Sequence, residues 1–179
     1  MPRIRTAVAL ATALVALCPT VALPKPALRL DPAPQWREAR NMQELMAILD
    51  DWLDVNSEWA QRTSTPLIRR VSEWEARARR GTTSSLQRGP LRGLYDPDTQ
   101  EILLIEPWDP RNTEDVSTLL HEMIHHRQAP HHWYCPAAQE LPAYRLQEAW
   151  LGERGLQAEV NWVAVVLDAG CTSRDIHPD

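Results

Sequence analysis

The sequence predicts a small α+β domain in which a short sheet and a helical C-terminal part flank one central helix. Three observations indicate this class: apolar residues recur at helical spacing in residues 42–60, two apolar runs enclose a turn at residues 96–99, and helical patterns return after residue 136. The central helix is expected over residues 112–129, which carry both a start and a stop signal. We expect the sheet on one side of this helix and the C-terminal helices on the other.

The first 22 residues have the pattern of a secretory signal peptide. Two arginines precede an apolar run at residues 7–17, and small residues favour cleavage after Ala22. The run is short for a membrane span, so we expect no stable membrane insertion after cleavage. Lipidation at Cys18 is the alternative, which the bulky leucine before it disfavours. The pattern predicts a periplasmic or secreted protein.

Charge and length restrict what the mature chain can do. The 179-residue chain has a formal net charge of −5, which becomes −7 without the signal because that segment holds two arginines and no acidic residue. With no evident basic surface, this balance argues against a nucleic-acid partner. Residues 23–40 are interpreted as a proline-rich lead-in, and residues 41–179 are sufficient for a single domain.

The segment after the lead-in predicts a long helix, then a strand and a second helix. Asn41 and Glu44 form a capping box for a helix over 42–60, whose apolar stripe is expected to pack in the core. Apolar residues at 66–71 predict a short strand, and the composition of 72–80 predicts a helix.

A loop and a hairpin precede the central helix. Residues 81–89 are polar and rich in small residues, so we expect a mobile loop there. Residues 91–95 and 100–106 are apolar runs on either side of the turn at 96–99, which predicts a pair of strands.

The run from His121 to His125 reads His-Glu-x-x-His and lies within the predicted central helix. Asn112 provides the N-cap of this helix, and Pro130 sets its end. Residues four apart share one face, so the two histidines can bind the same metal ion. With a third protein ligand, a zinc ion so bound keeps one position for water, beside which Glu122 stands as a base. An apolar stripe lies opposite, so we expect the helix to be covered on both sides.

Residues 121–125 resemble the signature of the zincin metallopeptidases. Two leucines before them, and His126 and Gln128 after them, resemble a set of small uncharacterised secreted bacterial proteins with that signature, and the likeness extends with falling specificity over residues 95–151. The resemblance implies a zincin-like fold, one zinc ion held by the two histidines, and the glutamate as general base. It also makes the preceding hairpin the candidate for pairing with an extended substrate, the alternative being a hairpin with a core role only. A helix that carries the short pattern by chance is the alternative to the whole interpretation.

A catalytic zinc ion usually has three protein ligands, so the motif leaves one ligand to identify. Glu140 is the stronger candidate, because it shares one helix face with Tyr144, Gln147 and Leu151. A carboxylate from a downstream helix resembles the gluzincin arrangement, although Gln139 stands where the best-known gluzincin pattern has asparagine. The alternative for Glu140 is an acidic residue that favours the helix dipole.

His131 and Glu148 are the competing third ligands. His131 has the third-histidine spacing of the metzincins, but Gln128 replaces the glycine that lets the chain turn there, and no methionine follows Met123. Glu148 lies on a shifted face of the same helix as Glu140 and is the reserve candidate.

Two helices and a disulfide are expected in the C-terminal part. Pro136 fits the first position of a helix that runs to about Leu151, and an apolar helix over 156–167 is expected to be core. Cys135 and Cys171 remain after signal removal as an even pair in an oxidising compartment, which favours a disulfide over two free thiols. Neither has a neighbouring cysteine, so they are less attractive as zinc ligands.

These features together predict zinc-dependent hydrolysis of peptide bonds outside the cytoplasm, on a peptide or protein substrate. Glu122 would activate a zinc-bound water and pass the proton to the leaving amine. Tyr144, His131 and His132 are candidates for orienting a ligand or donating to the oxyanion. The alternative function is a non-catalytic cell-envelope binding or structural protein with a zinc or vestigial metal site. Hydrolysis of a non-peptide amide is a third hypothesis.

Overall fold

The computed structural model describes residues 35–80 and 90–171. These residues form five α-helices, two 3-10 helices and one three-stranded mixed sheet, which confirms the predicted α+β class. The expected signal peptide, most of the lead-in and the expected loop at 81–89 lie outside the described residues.

The domain begins earlier than the predicted boundary at residue 41. A 3-10 helix, Gln35–Glu38, inserts Trp36 into the main core, where it is 2% exposed. Its ring packs against that of Trp150, with 5.9 Å between the centroids. The end of the predicted lead-in therefore contributes to the core. Burial of one large aromatic side chain stabilises this segment although its local sequence does not predict a helix or strand.

Helix α1, Met42–Asn56, has the predicted N-cap but ends before the predicted residue 60. The side chain of Asn41 accepts a hydrogen bond from the N–H of Glu44. At the other end, the side-chain amide of Asn56 donates to the carbonyl of Trp52, and Ser57 is extended. Asn and Ser side chains compete for main-chain groups in this way, and the apolar periodicity beyond them does not extend the helix.

The sheet contains β1 (Leu67–Val71), β2 (Gly93–Asp96) and β3 (Glu101–Ile105) in the order β1-β3-β2. Strand β3 pairs in parallel with β1 and antiparallel with β2, so the predicted hairpin is present. Helix α2, Glu73–Arg80, connects the first strand to the segment before the hairpin. Among the described residues, β3 is therefore the centre of the sheet and β2 is an edge strand.

Alternate residues of β3 pack on two different cores. Ile102 and Leu104 face the main core, whereas Leu103 and Ile105 join a smaller cluster beneath α2. Successive side chains of a strand point to opposite faces, so a fully buried central strand is apolar throughout.

Helix α3, Thr113–Gln128, packs on the main-core face of the sheet and is covered on both sides, as predicted. The side chain of Asn112 accepts hydrogen bonds from the N–H groups of Glu114 and Asp115. The predicted apolar stripe is buried and consists of Val116, Leu119, Leu120 and Met123.

The last turn of α3 is also fastened to α1. Arg127 is 2% exposed and lies 2.7 Å from a carboxylate oxygen of Asp50 and 2.7 Å from one of Asp54. It also donates to the carbonyl of Trp59. A buried guanidinium with carboxylate and carbonyl partners holds the end of the helix in one position.

The C-terminal part differs from its prediction at the helix starts. Residues 136–139 form a 3-10 helix rather than a first α-turn, and α4 is Glu140–Gly152. Helix α5, Trp162–Ala169, begins six residues after the predicted start at 156, because the side chain of Asn161 accepts from the N–H of Ala164 and caps it.

The expectation that this last helix is core is mostly wrong. Only Ala164 and Val165 of α5 are buried, while Val163, Val166 and Leu167 are exposed. A mostly apolar helix need not be buried all round, since only the side that meets other elements is covered.

Cys135 and Cys171 form the predicted disulfide. The bridge joins the residue before the second 3-10 helix to the residue after Gly170, which caps α5. No helix within the two described ranges is long and apolar enough to cross a membrane.

Candidate metal centre

Helices α3 and α4 bring three metal-binding side chains together. His121 and His125 lie one turn apart on α3, and Glu140 is the first residue of α4. The Nε2 atoms of the two histidines are 3.0 Å apart. Oε2 of Glu140 is 3.3 Å from Nε2 of His121 and 3.5 Å from Nε2 of His125.

The triangle formed by these three atoms has the size that one metal ion requires. Ligands about 2.0–2.2 Å from a tetrahedral zinc ion are about 3.3–3.6 Å from one another. Two of the observed separations, 3.3 and 3.5 Å, lie in that range, and the third, 3.0 Å between the histidines, is slightly shorter. Among the described residues, this is the group of histidine and acidic side chains that could hold a metal ion.

The electrostatics of the group favour a charged pair when no metal is bound. Burial lowers the pKa of His125, but the charge and hydrogen bond of Glu140, together with the charge of Glu122 and the hydrogen bond to Gln128, outweigh burial and raise the pKa to about 9. Burial alone would raise the pKa of Glu140, yet the charge of His125 and hydrogen bonds from both histidines hold it well below its usual value. A metal ion that displaced the histidine protons would be attracted by the same carboxylate charge of Glu140.

Glu122 lies on the side of α3 that faces β2. Its side chain is buried, and the main-chain N–H of Tyr95 donates to its carboxylate. Burial raises the pKa of Glu122, and the charge of Glu140 acts in the same direction, against the lowering effect of His121 and His125. The carboxylate of Glu122 is therefore buried and has a main-chain partner at β2.

A glutamine connects the two ligand-bearing helices. Oε1 of Gln128 is 2.8 Å from Nδ1 of His125, and its amide nitrogen donates to the carbonyl of Gln139 at 3.2 Å. From the sequence, Gln128 was part of the family resemblance and a departure from the metzincin pattern, and this contact was not predicted. Its position three residues after His125, on the same helix face, was the available signal.

The predicted face of α4 does meet α3. The ring of Tyr144 lies 4.4 Å from the ring of His121, measured between centroids. One turn further on, Gln147 donates to the hydroxyl of Ser117. Burial and the charge of Glu140 raise the pKa of Tyr144, so its hydroxyl remains protonated near neutral pH.

The competing ligands predicted from the sequence do not reach the centre. His131 and His132 are exposed and lie outside the group of three. The carboxylate of Glu148 accepts the N–H of Ala158 at 2.6 Å instead. The third position is filled by Glu140 because α4 begins beside the last turns of α3.

His126 has a supporting role on the far side of the helix. Its Nε2 lies 2.8 Å from the carbonyl of Ser64 and its Nδ1 lies 3.1 Å from the hydroxyl of Tyr95. A carbonyl only accepts, so Nε2 carries the proton and Nδ1 accepts from the tyrosine. The histidine therefore helps to hold the strand whose main chain contacts Glu122.

The fold and this centre define an α+β domain with a His-His-Glu group that could hold a metal ion. Residues 38–179 match the model of a family described as a domain of unknown function, DUF6647. Because the match covers most of the chain, the protein belongs to this family. Neither the curated proteins nor the solved structures gave a match. Family membership assigns no activity, so the site itself carries the evidence on function.

Proposed function

We propose that the protein is a zinc-dependent hydrolase of peptide bonds that acts outside the cytoplasm. The observation that carries this proposal is the convergence of His121, His125 and Glu140 beside the buried Glu122. Metal ligands alone would fit a structural site equally well. A buried carboxylate that is next to the group and is not one of its three ligands is what a hydrolytic site needs.

The donor set supports zinc. Two imidazole nitrogens and one carboxylate oxygen are the protein ligands of one common class of catalytic zinc site. A zinc ion held by three such ligands has a fourth position for water. It would lower the pKa of that water and polarise a carbonyl group. The match between the observed donor separations and a tetrahedral ion supports the same assignment.

Glu122 is the proposed proton carrier. It takes a proton from the attacking water and gives it to the amine that leaves when the peptide bond breaks. The N–H of Tyr95 holds the carboxylate in place, so little reorganisation is needed when the proton moves. The same carboxylate receives and returns one proton, so the residue is unchanged after turnover.

Tyr144 is the proposed donor to the oxyanion. Its ring packs on that of His121, and its raised pKa keeps the hydroxyl proton in place. A hydroxyl beside the metal ligands can donate to the oxygen that becomes negative during attack. His131 and His132, which are exposed and outside the centre, have less support for that role.

Strand β2 is the proposed docking edge for substrate. Strand β3 has partners on both sides, so β2 is the strand of the hairpin that can accept another strand. The N–H of Ile105 donates to the main-chain carbonyl of Arg92, so residue 92 bonds to β3. Because residues of an antiparallel strand alternate between bonding to the partner strand and facing away from it, the main-chain groups of Gly93 and Tyr95 face away from β3. An extended peptide added at this edge would pass Glu122.

The predicted export of the chain supports an extracytoplasmic site of action. Disulfides such as that between Cys135 and Cys171 persist in oxidising compartments, which agrees with the signal pattern at residues 1–22. Peptides and proteins of the cell envelope or the medium are the corresponding substrate class.

The proposal is tested by measuring zinc content together with cleavage of a quenched fluorescent peptide library. The wild type should hold about one zinc ion per chain and cleave members of the library. Glu140→Ala should lose the zinc and the cleavage, whereas His131→Ala is the matched control and should keep both. Zinc without cleavage of any member would support the non-catalytic alternative, and a folded wild type without zinc would overturn the metal site.

A further inference from the structure

We propose that Gln128 is a positioning residue that aims Nε2 of His125 at the metal. This inference rests on the proposed function, since it takes His121, His125 and Glu140 as the ligands of one ion. No pattern in the sequence assigned a role of this kind to Gln128.

The first part of the evidence is the contact with His125. Gln128 is fully buried, and its Oε1 lies 2.8 Å from Nδ1 of the histidine. A ring nitrogen that donates to such an oxygen carries the proton, which leaves the lone pair of Nε2 for a metal ion. That Nε2 atom is the one that lies within 3.0–3.5 Å of His121 and Glu140.

The second part is the contact with the start of α4. The amide nitrogen of Gln128 donates to the carbonyl of Gln139, the residue before Glu140. A carbonyl only accepts, so this bond determines which end of the amide faces each partner. The oxygen must then face His125. The contact with the start of α4 therefore holds the amide in the orientation that presents its oxygen to His125.

The main chain of Gln128 is held as firmly as its side chain. The carbonyl accepts from the indole N–H of Trp133 at 3.3 Å and from the N–H of His131 at 2.9 Å. The loop that follows α3 therefore wraps around this residue, and the side chain reaches the ligands from a fixed base.

The other histidine lacks an equivalent device. Nδ1 of His121 is buried without a hydrogen-bond partner in the part of the chain that the structure describes. His121 is instead packed against the ring of Tyr144. Of the two histidines, His125 is therefore the one whose ring is oriented by a hydrogen bond at Nδ1, and loss of Gln128 should disturb that ligand in particular.

The contacts also distinguish positioning from packing. Methionine is similar to glutamine in length and volume, so Gln128→Met would fill the space but leave Nδ1 of His125 without its acceptor and the carbonyl of Gln139 without one of its donors. Loss of a partner that orients a metal-bound histidine typically lowers metal affinity 10–100-fold. Gln128→Glu keeps an acceptor for His125, in the form of a carboxylate such as often orients metal-bound histidines, and loses the donor to Gln139.

The chain offers a matched control in Gln147. Its amide also joins α4 to α3, but its hydrogen bond, at 2.9 Å, goes to the hydroxyl of Ser117 and not to a proposed ligand. Gln147→Met therefore removes one hydrogen bond between the same two helices and leaves the ligands alone.

The experiment measures zinc affinity by competition with a chelator, and the visible absorption of the cobalt-substituted chains, in the full mature protein. Gln128→Met should bind zinc 10–100-fold more weakly and should alter the cobalt spectrum. Gln128→Glu should retain the wild-type spectrum, and Gln147→Met should match the wild type in both measurements. Thermal unfolding of the metal-free chains is followed in parallel.

Each result decides the matter. Wild-type affinity and spectrum in Gln128→Met would overturn this inference alone, whereas a wild type without zinc affinity would overturn the proposed function with it. Equal losses in Gln128→Met and Gln147→Met would show that helix packing, not orientation of His125, is responsible. If Gln128→Met fails to fold, Gln128→Glu decides: an altered cobalt spectrum overturns the inference and a retained one supports it.

Discussion

Gly93 on β2 lies directly against Glu122 on α3. A β-carbon built on this glycine would be 2.6 Å from Oε1 of the glutamate and 2.8 Å from Cγ2 of Thr118. No real β-carbon makes such contacts, so only glycine lets the strand approach the helix this closely. The position of the proposed base therefore depends on the absence of a side chain in the neighbouring strand.

Gly93→Ala should reduce peptide cleavage while leaving zinc bound. The added methyl group would displace the carboxylate of Glu122, and a displacement of about 1 Å at a reacting group can lower turnover about 100-fold. The ligands lie on other residues, so zinc content should remain that of the wild type. Gly152→Ala is the matched control, because a β-carbon there meets nothing within 4 Å. Equal activity in the two variants would contradict the prediction.

Glu122→Gln should abolish turnover without changing fold or metal content. The amide cannot take a proton from water, and loss of a general base typically lowers the rate 10²–10⁴-fold. Its carbonyl oxygen can still accept from Tyr95, so the strand contact survives. Single-turnover assays with zinc analysis on the same sample check this, with Glu148→Gln as the control. Residual cleavage near the wild-type rate would assign the base to another residue.

The metal-free protein should be most stable between about pH 4.5 and 6.5. The pKa of His125 is raised from 6.5 to about 9, so its stabilising contribution is complete below pH 6.5 and is lost as pH rises through 9. The pKa of Glu122 is raised from 4.5, so its contribution is complete below pH 4.5 and is lost as pH rises above that value, which moves the maximum toward the acidic end of this range. The pKa of Glu140 is lowered from 4.5, so its contribution is lost as the solution becomes more acidic than that value.

Urea unfolding in the presence of a chelator measures this dependence. Between pH 6.5 and 9, the free energy of unfolding should fall by about 3 kcal/mol from His125 alone. His125→Asn should show a smaller fall over the same range. Added zinc should act in the opposite direction, since zinc binds deprotonated histidine and its stabilising effect grows as pH rises. A metal-free protein whose stability is flat over this range would contradict the assigned ion pair.

Replacing Cys135 and Cys171 with serine should lower the free energy of unfolding by about 2–4 kcal/mol. The bridge closes a loop over a sequence separation of 36 residues, which restricts the unfolded chain. Addition of a reducing agent should destabilise the wild type and leave the double variant unchanged, as followed by urea unfolding. A reductant effect of equal size on both chains would show that it acts elsewhere.

Helix positions were predictable where a cap and a periodic stripe coincide. Helix α3 has its N-cap at Asn112 and its end before Pro130, and both signals are local in the sequence. The prediction made helix α1 too long, because apolar residues continue at helical spacing past Asn56 while the helical backbone ends there. The late start of α5 has a similar cause, since Asn161 caps the helix inside an apolar run.

Contacts between distant segments were less accessible. The order β1-β3-β2 depends on the parallel pairing of β1 with β3, which are separated in the chain by α2 and β2, and no short sequence pattern indicates such a pairing. Trp36 was missed because its partner Trp150 is more than a hundred residues away. Glu140 was a candidate because it lies on a predicted face, but its distance from the histidines required the packing of α4 on α3.

The open edge of β2 has a consequence for aggregation as well as for selectivity. An unpaired strand edge is a template on which further copies of a chain can add. Strand β2 is only four residues long, and the N–H of Tyr95 is engaged by Glu122. Within residues 35–80 and 90–171, the groups left facing outward are the N–H and carbonyl of Gly93 and the carbonyl of Tyr95. So short a ladder is a poor template for self-association, and because main-chain bonds ignore sequence, discrimination between peptides must come from the side chains around it.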